Sequence, residues 1–332
     1  MSEAYAIVAE RAGGPEVLVK KPIDLQNLKP EAGQVLLKHQ AIGVNFIDVY
    51  HRSGLYRQNF PAALGCEAAG VIEAVGTDVK GFKVGDRVAI FTSKPGAYAT
   101  HRIVEARELV ALPDDISAET AAAVLLKGMT SWMLAEKCLA HAAIAGEAPK
   151  ILVLAAAGGV GSLLVPWLKY LGATVFAHTS TAEKAEKVKA NGADYTTTLP
   201  YAELPQWIKQ QNNGEGVHAV LDSVGADSWK SSLASLRKKG LWVVFGNASG
   251  PVPPLSPLEL AGAGSVYMTR PRLVDYVDNS VDLTTASQKL FDLLRKNVLK
   301  AEINQRFSLA DVAKAHSLLE SRKTTGSTVL IP

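Results

Sequence analysis

The residues with the clearest chemical meaning are the glycines of Ile151-Leu-Val-Leu-Ala-Ala-Ala-Gly-Gly-Val-Gly161. A short apolar run, read as a strand, enters a glycine turn and leaves as a helix, the setting in which backbone N–H groups can meet a pyrophosphate. Gly158 lets the backbone approach the phosphates and Gly161 lets helix and sheet pack closely, while the helix N-terminus adds free donors and partial positive charge. Ala156 stands at the first glycine position of G-x-G-x-x-G, so the turn is a variant. A tight turn without a ligand would carry the same glycines, but the strand before, the helix after and the βαβ continuation favour dinucleotide binding. About 20 residues further on, an NAD-binding chain places a carboxylate for the ribose 2′-OH. Here that stretch is His178-Thr-Ser-Thr-Ala-Glu-Lys184, with hydroxyls and no carboxylate at the strand end. A lysine with neighbouring hydroxyls suits a 2′-phosphate, so NADPH is expected over NADH. Glu183 opposes this reading, and Lys184 as a solvated helix residue is the plainer one.

The elements around this turn change character along the chain. Up to about residue 115, short β-branched or apolar runs such as Gln34–Lys38, Gly70–Val75 and Asp86–Phe91 alternate with Gly and Pro, as in a compact β-rich domain. Ser117 then caps a helical stretch running to Leu126. Strands at Ile151–Ala155, Thr174–His178, His218–Asp222 and Leu241–Phe245 alternate with helices at Gly161–Leu171, Ala182–Asn191 and near Asp227–Lys238. Strand–helix alternation of this kind predicts a parallel, doubly wound sheet. Pro166 should kink or shorten its helix. Residues 250–265 read as a loop, Thr284–Arg295 and Leu309–Ser321 as helices, and Ser327–Ile331 as a closing strand.

Composition narrows the classes. The chain has 332 residues, 48% hydrophobic and 20% charged, with a formal net charge of +3, which fits a globular protein of two domains and excludes disordered and collagen-like chains. Only Cys66 and Cys138 are present, too few for a disulfide framework or a four-thiolate zinc site. Met1-Ser-Glu-Ala4 lacks the basic and apolar regions of a leader, and no apolar run approaches a bilayer span. A reduced, cytoplasmic protein is therefore expected. Arg237-Lys-Lys239, read as a helix end, is too small a cluster to imply nucleic acid.

The chain resembles the zeta-crystallin-like NADPH quinone oxidoreductases of the medium-chain dehydrogenase/reductase superfamily, the bacterial ones above all. The likeness rests on Gly13-Gly-Pro-Glu-Val-Leu18, Gly43-Val-Asn-Phe-Ile-Asp48, Arg52-Ser-Gly-Leu-Tyr56, Gly65-Cys-Glu-Ala-Ala-Gly70, Val84-Gly-Asp-Arg-Val88 and Lys127-Gly-Met-Thr130. It continues through the glycine turn, Asp222-Ser-Val-Gly225, Phe245-Gly-Asn-Ala-Ser-Gly250, Thr269-Arg-Pro271 and Glu320-Ser-Arg322. The resemblance implies an α/β protein with a GroES-like catalytic domain built from residues 1–128 and 271–332 and a Rossmann NADPH-binding domain at 129–270, the nicotinamide lying in a cleft between them. Matching positions put Asn45, Tyr50 and Thr130 near the nicotinamide, and Gly159 and Val160 at the pyrophosphate. Ser180 and Lys184 would meet the 2′-phosphate, and Ser223, Phe245, Asn247 and Arg322 would line the rest of the groove. Leu199 departs from the family, whose bacterial members usually place a Tyr there against the adenosine.

In the superfamily's alcohol dehydrogenases a Cys and a His hold catalytic zinc. Asn45 and Cys66 occupy those positions here, a poor zinc site, so no metal is expected and Cys66 reads as a small buried residue. Without a Lewis acid, hydride transfer must rely on positioning and hydrogen bonds. A quinone or an enone suits this, since its own π-system accepts the hydride and places charge on a carbonyl oxygen. Tyr50, Tyr56 or Asn45 could donate to that oxygen, and Lys127 could orient the cofactor or Asn45. The plainer readings are that Tyr56 walls off a cleft, that Lys127 is an ion-pair partner, and that water supplies the proton. The competing functions are an NADPH-dependent alkenal or enone reductase and a non-enzymatic structural or nucleic-acid-binding protein. Apolar strand edges after Phe245 and at Ser265–Met268, together with the resemblance, point to a homodimer.

Overall fold

The computed structural model describes residues 4–92, 94–142, 148–277 and 279–332, so Met1–Glu3 and the leader reading that rests on them lie outside it. The chain divides into two compact units. One holds residues up to Met129, Val277–Asp292 and Ala301–Pro332; the other holds Thr130–Tyr276 and Leu293–Lys300.

The first unit is mainly antiparallel. Strands β1 (Tyr5–Ala9), β2 (Leu18–Pro22) and β4 (Ala62–Ala63) form a small sheet in the order β2-β1-β4. Its larger sheet is organised on β3 (Gln34–Val44), β5 (Glu67–Val75), β6 (Arg87–Phe91), β7 (His101–Glu105) and β8 (Leu109–Ala111). Helix α1 (Phe46–Ser53) follows β3, and α2 (Ala118–Trp132) follows β8. The strand expected at Gln34–Lys38 continues to Val44, because Ala41, Ile42 and Val44 keep feeding buried side chains into the core. Ser117 does cap α2, its hydroxyl accepting from Thr120 N–H at 3.0 Å.

In the second unit, β9 (Lys150–Val153), β10 (Thr174–His178), β11 (Tyr195–Thr197), β12 (Val217–Asp222), β13 (Leu236–Val244) and β14 (Tyr267–Thr269) form one parallel sheet. The order is β11-β10-β9-β12-β13-β14, so the strand order reverses at β9. Helices α3 (Gly161–Tyr170), α4 (Ala182–Ala190), α5 (Leu204–Gln211) and α6 (Trp229–Ser235) alternate with the strands. Leu152, Phe176, Val220 and Trp242 build the core against Ile208 and Leu233. The chain then adds α7 (Pro257–Gly262), α8 (Ser280–Arg295), β15 (Ile303–Ser308), α9 (Val312–Glu320) and β16 (Ser327–Ile331). β16 pairs with β3 and extends the first unit's large sheet.

Three local expectations are corrected. Residues 250–265 are not all loop: Ser256 accepts from Leu258 N–H and Pro257 opens α7, a proline tolerated in a first turn where no N–H is needed. Arg237-Lys-Lys239 is not a helix end, because β13 already begins at Leu236. A register shift opposite Val217–Ala219 and a left-handed Lys239 (φ 60°) absorb this stretch, so the helix-dipole account of those lysines does not apply. The stretch Leu309–Ser321 is not one helix either, since Leu309–Asp311 forms a single 3₁₀ turn before α9. Pro166 sits inside α3, which nonetheless runs from Gly161 to Tyr170.

Candidate active site

In a parallel sheet all carboxyl ends face one edge, and that edge collects the candidate phosphate and ribose contacts. β9 ends at Val153 and leads into the glycine turn, β10 into Ser180 and Lys184, β12 into Ser223, and β13 into Phe245 and Asn247. A Cβ at Gly161 would lie 2.4 Å from the Ala156 carbonyl oxygen, so only glycine fits there. A Cβ at Gly158 would meet only the Ala155 carbonyl, at 3.2 Å, which leaves the other side of the turn open to an incoming group. No side chain caps α3; Ser162 N–H donates to the Gly158 carbonyl at 2.8 Å and Leu163 N–H to the Val160 carbonyl at 3.1 Å, so an anion at the turn would be met by the N–H groups that precede Ser162. Ser131 Oγ donates to the Val160 carbonyl at 3.4 Å, tying the residue after Thr130 to the turn.

Lys184 stands in the first turn of α4, where Thr181 Oγ1 caps its backbone N–H at 3.3 Å. Partial burial pushes its ammonium pKa down, with Glu183 acting in the opposite direction. No carboxylate stands at the end of β10 between His178 and Ala182. Leu199, the departure noted in the sequence, gives its carbonyl to His178 Nε2 at 3.0 Å, and the Tyr201 ring lies 4.8 Å from the His178 ring.

The turn after β12 is held by a buried carboxylate. Asp222 accepts from Val224 N–H (2.8 Å), Ser228 Oγ (2.8 Å), Ser232 Oγ (2.7 Å) and Trp242 Nε1 (3.3 Å). These donors compensate a fully buried charge and fix the backbone of Ser223. Beyond the end of β13, the Asn247 amide oxygen faces Arg270 Nη2 at 3.2 Å, and Arg270 Nη1 donates to the Val244 carbonyl at 2.8 Å.

The first unit carries Asn45, Tyr50, Tyr56, Lys127 and Arg322. Asn45 precedes α1, and its side-chain Nδ2 donates to Glu67 Oε2 at 2.9 Å. Lys127 Nζ approaches the same oxygen at 3.4 Å, and Leu126 N–H donates to Glu67 Oε1 at 2.7 Å. Glu67 is thus a fully buried carboxylate joining Asn45 to α2. Gly43, its partner across β3 and β5, makes room for it: a Cβ there would fall 2.2 Å from both Glu67 Oε2 and the Ala122 carbonyl. The Tyr50 and Tyr56 rings meet edge-on at 5.2 Å. Arg322 stands in a surface turn with φ 60°.

Sequence reasoning missed Glu67, although an acidic residue inside the apolar run Gly65–Gly70 was the available signal. It also missed a buried chain of hydrogen bonds under α1. Arg52 pairs with Glu320 through two bonds (2.9 and 2.7 Å) and donates to His316 Nδ1 at 2.9 Å. Because arginine can only donate, His316 carries its proton on Nε2, which donates to the Tyr98 hydroxyl at 2.8 Å. Tyr98 then donates to Asp48 Oδ2 at 2.9 Å, and the same oxygen accepts from Asn45 N–H at 2.9 Å. Burial, followed by the Arg52 charge, lowers the His316 pKa to about 3. Burial raises that of Asp48 to about 7, against the hydrogen bonds from Asn45 and Tyr98. Cys66 is buried beside Asp48, and burial together with that carboxyl pushes its thiol pKa well up.

Two families match the chain: the alcohol dehydrogenase GroES-like domain over residues 31–114 and the zinc-binding dehydrogenases over residues 159–288. The quinone oxidoreductase of Pseudomonas aeruginosa is 44% identical over 96% of this chain and 97% of its own. The crystal structure of Escherichia coli quinone oxidoreductase complexed with NADPH superposes with a TM-score of 0.93 at 40% identity, covering 99% of this chain and 100% of that one. A 2-haloacrylate reductase from Burkholderia is 37% identical over 98% of both chains. The residues present fit a phosphate-bearing dinucleotide, through the open Gly158 cradle and the uncapped α3. They do not fit a catalytic zinc at Asn45, whose amide is bound to Glu67, itself already taken up by Leu126 and Lys127.

Proposed function

The chain belongs to the quinone oxidoreductases of the medium-chain dehydrogenase/reductase superfamily, and on that premise we propose how it uses NADPH to reduce a quinone. The observation that carries the reading is the carboxyl edge of the parallel sheet. It gathers an anion-ready glycine turn and a lysine where an NAD-binding chain would have a carboxylate. Gly158, Gly159, Val160 and Gly161 hold the pyrophosphate against α3, and Ser180 and Lys184 take the 2′-phosphate. Ser223, Phe245, Asn247 and Arg322 line the remaining groove, with Thr130, Asn45 and Tyr50 at the nicotinamide. When bound, NADPH supplies a hydride.

This chain's residues then manage charge on the acceptor. A quinone ring that takes a hydride places negative charge on a carbonyl oxygen, and a Tyr50 or Tyr56 hydroxyl, or the amide hydrogen of Asn45 not given to Glu67, donates to it. Lys127 and Glu67 act one step back, holding Asn45 in place. No metal is needed at the reacting carbonyl, so the reaction is zinc-independent. The protein works in the cytoplasm, as its two buried, unpaired cysteines suit. It pairs as a homodimer through the edge of β14, where Tyr267 and Met268 are 61% and 38% exposed. Sedimentation showing only monomer at micromolar concentration would remove the dimer.

A second reading, reduction of an activated double bond, is supported by the Burkholderia relative and uses the same donor set. Steady-state oxidation of NADPH with quinones and with an alkenal separates the two. Turnover on quinones at least ten times that on the alkenal is expected, and the reverse order moves the function to double-bond reduction.

A further inference from the structure

Among the described residues, one group of three metal-ligating side chains stands together, and the reaction above makes no use of it as a group. Asp48, His51 and Cys66 each turn one donor atom toward the others, all within 4.8 Å of one another, and all three residues are buried. Asp48 and His51 lie three residues apart on α1, a spacing that brings a carboxylate and an imidazole onto one helical face, as in the i, i+3 ligand pairs of metal-binding bundles. Cys66 arrives from the turn before β5 and closes the third side, its sulfur 3.8 Å from His51 Nδ1. A tetrahedral zinc ion with a thiolate and an imidazole spaces those two atoms roughly 3.6 Å apart. The pair therefore already stands at nearly the ligand distance, and the widest pair must close by about 1 Å.

The surroundings of Asp48 point the same way. Asp48 Oδ2 has two donors, Asn45 N–H and the Tyr98 hydroxyl, whereas the fully buried Oδ1 is met by no backbone or hydroxyl donor among the described residues, and the carboxyl's remaining hydrogen-bond partner is the Cys66 thiol. A cation that displaces the thiol proton would give that oxygen and the sulfur a common partner. The bonds to Oδ2 supply what a metal-ligating carboxylate normally has, a set of outer partners that fix its orientation. Here those partners lead through Tyr98 and His316 to Arg52 and Glu320.

We propose that Asp48 Oδ1, His51 Nδ1 and Cys66 Sγ bind one Zn²⁺ ion that fastens α1 to the start of β5. The donor set of one thiolate, one imidazole and one carboxylate suits zinc over calcium or magnesium, which take oxygen ligands. Thiolate and carboxylate neutralise the ion's two charges, and the Cys66 proton leaves to solvent on binding. The role is structural: the ion holds the helix that begins after Asn45 and carries Tyr50, and the reacting carbonyl does not touch it.

The full-length protein, stripped with a chelator and then titrated with Co²⁺ alone, provides the test. One equivalent should produce thiolate-to-cobalt charge transfer in the near-ultraviolet and the intense visible bands of a tetrahedral ion, with release of a proton, and Zn²⁺ should displace it. C138S should titrate like the parent. C66S should lose the charge-transfer band, and H51Q, which keeps the thiol, should weaken Co²⁺ binding at least about tenfold. A folded parent that shows no charge-transfer band at one equivalent overturns the proposal, as does a band that survives in C66S. Because these readouts involve no turnover, they stand or fall apart from the quinone reductase reading.

Discussion

Replacing Glu67 with Gln examines how Asn45 is held. Three donors converge on the Glu67 carboxylate: Leu126 N–H at 2.7 Å, Asn45 Nδ2 at 2.9 Å and Lys127 Nζ at 3.4 Å. Glutamine offers one acceptor oxygen and one NH₂ group in the same volume. If its oxygen serves Leu126, its nitrogen faces Asn45 and Lys127; if the amide turns, the helix N–H loses its acceptor. The first arrangement drives the Asn45 amide to rotate, so that its oxygen faces residue 67 and its nitrogen points the opposite way. A buried hydrogen bond to a charged group contributes about 1.5–3 kcal/mol, which corresponds to roughly 10- to 100-fold in a rate if the loss falls on the transition state. The expected result for Glu67→Gln is a fall of that size in kcat with quinone, while KM for NADPH changes much less. Urea unfolding should show a stability loss of about 2 kcal/mol. Stopped-flow and steady-state kinetics at fixed quinone read the first effect. Turnover within twofold of the parent, in a protein of unchanged stability, would refute the idea that Glu67 sets the orientation of Asn45.

Lys184→Glu should raise KM for NADPH by about tenfold or more and leave that for NADH nearly unchanged, since a charge-assisted contact to a 2′-phosphate is replaced by repulsion; equal effects on both cofactors would contradict it. Tyr50→Phe and Tyr56→Phe should each lower kcat with quinone, and intact turnover in both would assign protonation of the product to water. Acid should destabilise the fold through its buried histidines. His39 is held neutral, with a pKa lowered by burial to about 4 and Nδ1 against the Ala99 carbonyl at 2.7 Å, and His316 is lowered to about 3. Both sit below the unfolded value of 6.5, so their contribution is fully present above that pH and is lost as pH falls toward 4. Each should cost about 3 kcal/mol by pH 4. Urea midpoints at pH 7, 5.5 and 4 check this, and His39→Gln should flatten part of the slope.

Much of the cofactor-binding unit was legible because its strands are buried on both faces and therefore read as uninterrupted apolar runs. Thr174–His178 is found at its expected bounds, and the helix expected at Ala182–Asn191 ends one residue earlier. The boundary between α6 and β13 was misjudged because Arg237-Lys-Lys239 carries the charge of a helix end, and only pairing with β12 shows it to be an extended stretch. α7 hid behind its own Pro and Gly. Among the candidate site residues, the glycine turn and Lys184 are proposed from the local order of residues alone. Glu67 and the Arg52–His316–Tyr98–Asp48 chain do not, because their partners come from distant parts of the sequence. Their roles arise from burial, which no single segment reveals.

Steady-state oxidation of NADPH and NADH with 1,4-benzoquinone and 9,10-phenanthrenequinone asks whether this chain reduces quinones and whether Lys184 and its neighbouring hydroxyls, as proposed, select NADPH for it. Rapid NADPH oxidation with a quinone and little with NADH is the expected result. Equal use of the two cofactors, or NADPH bound tightly with no quinone reduced, would contradict it.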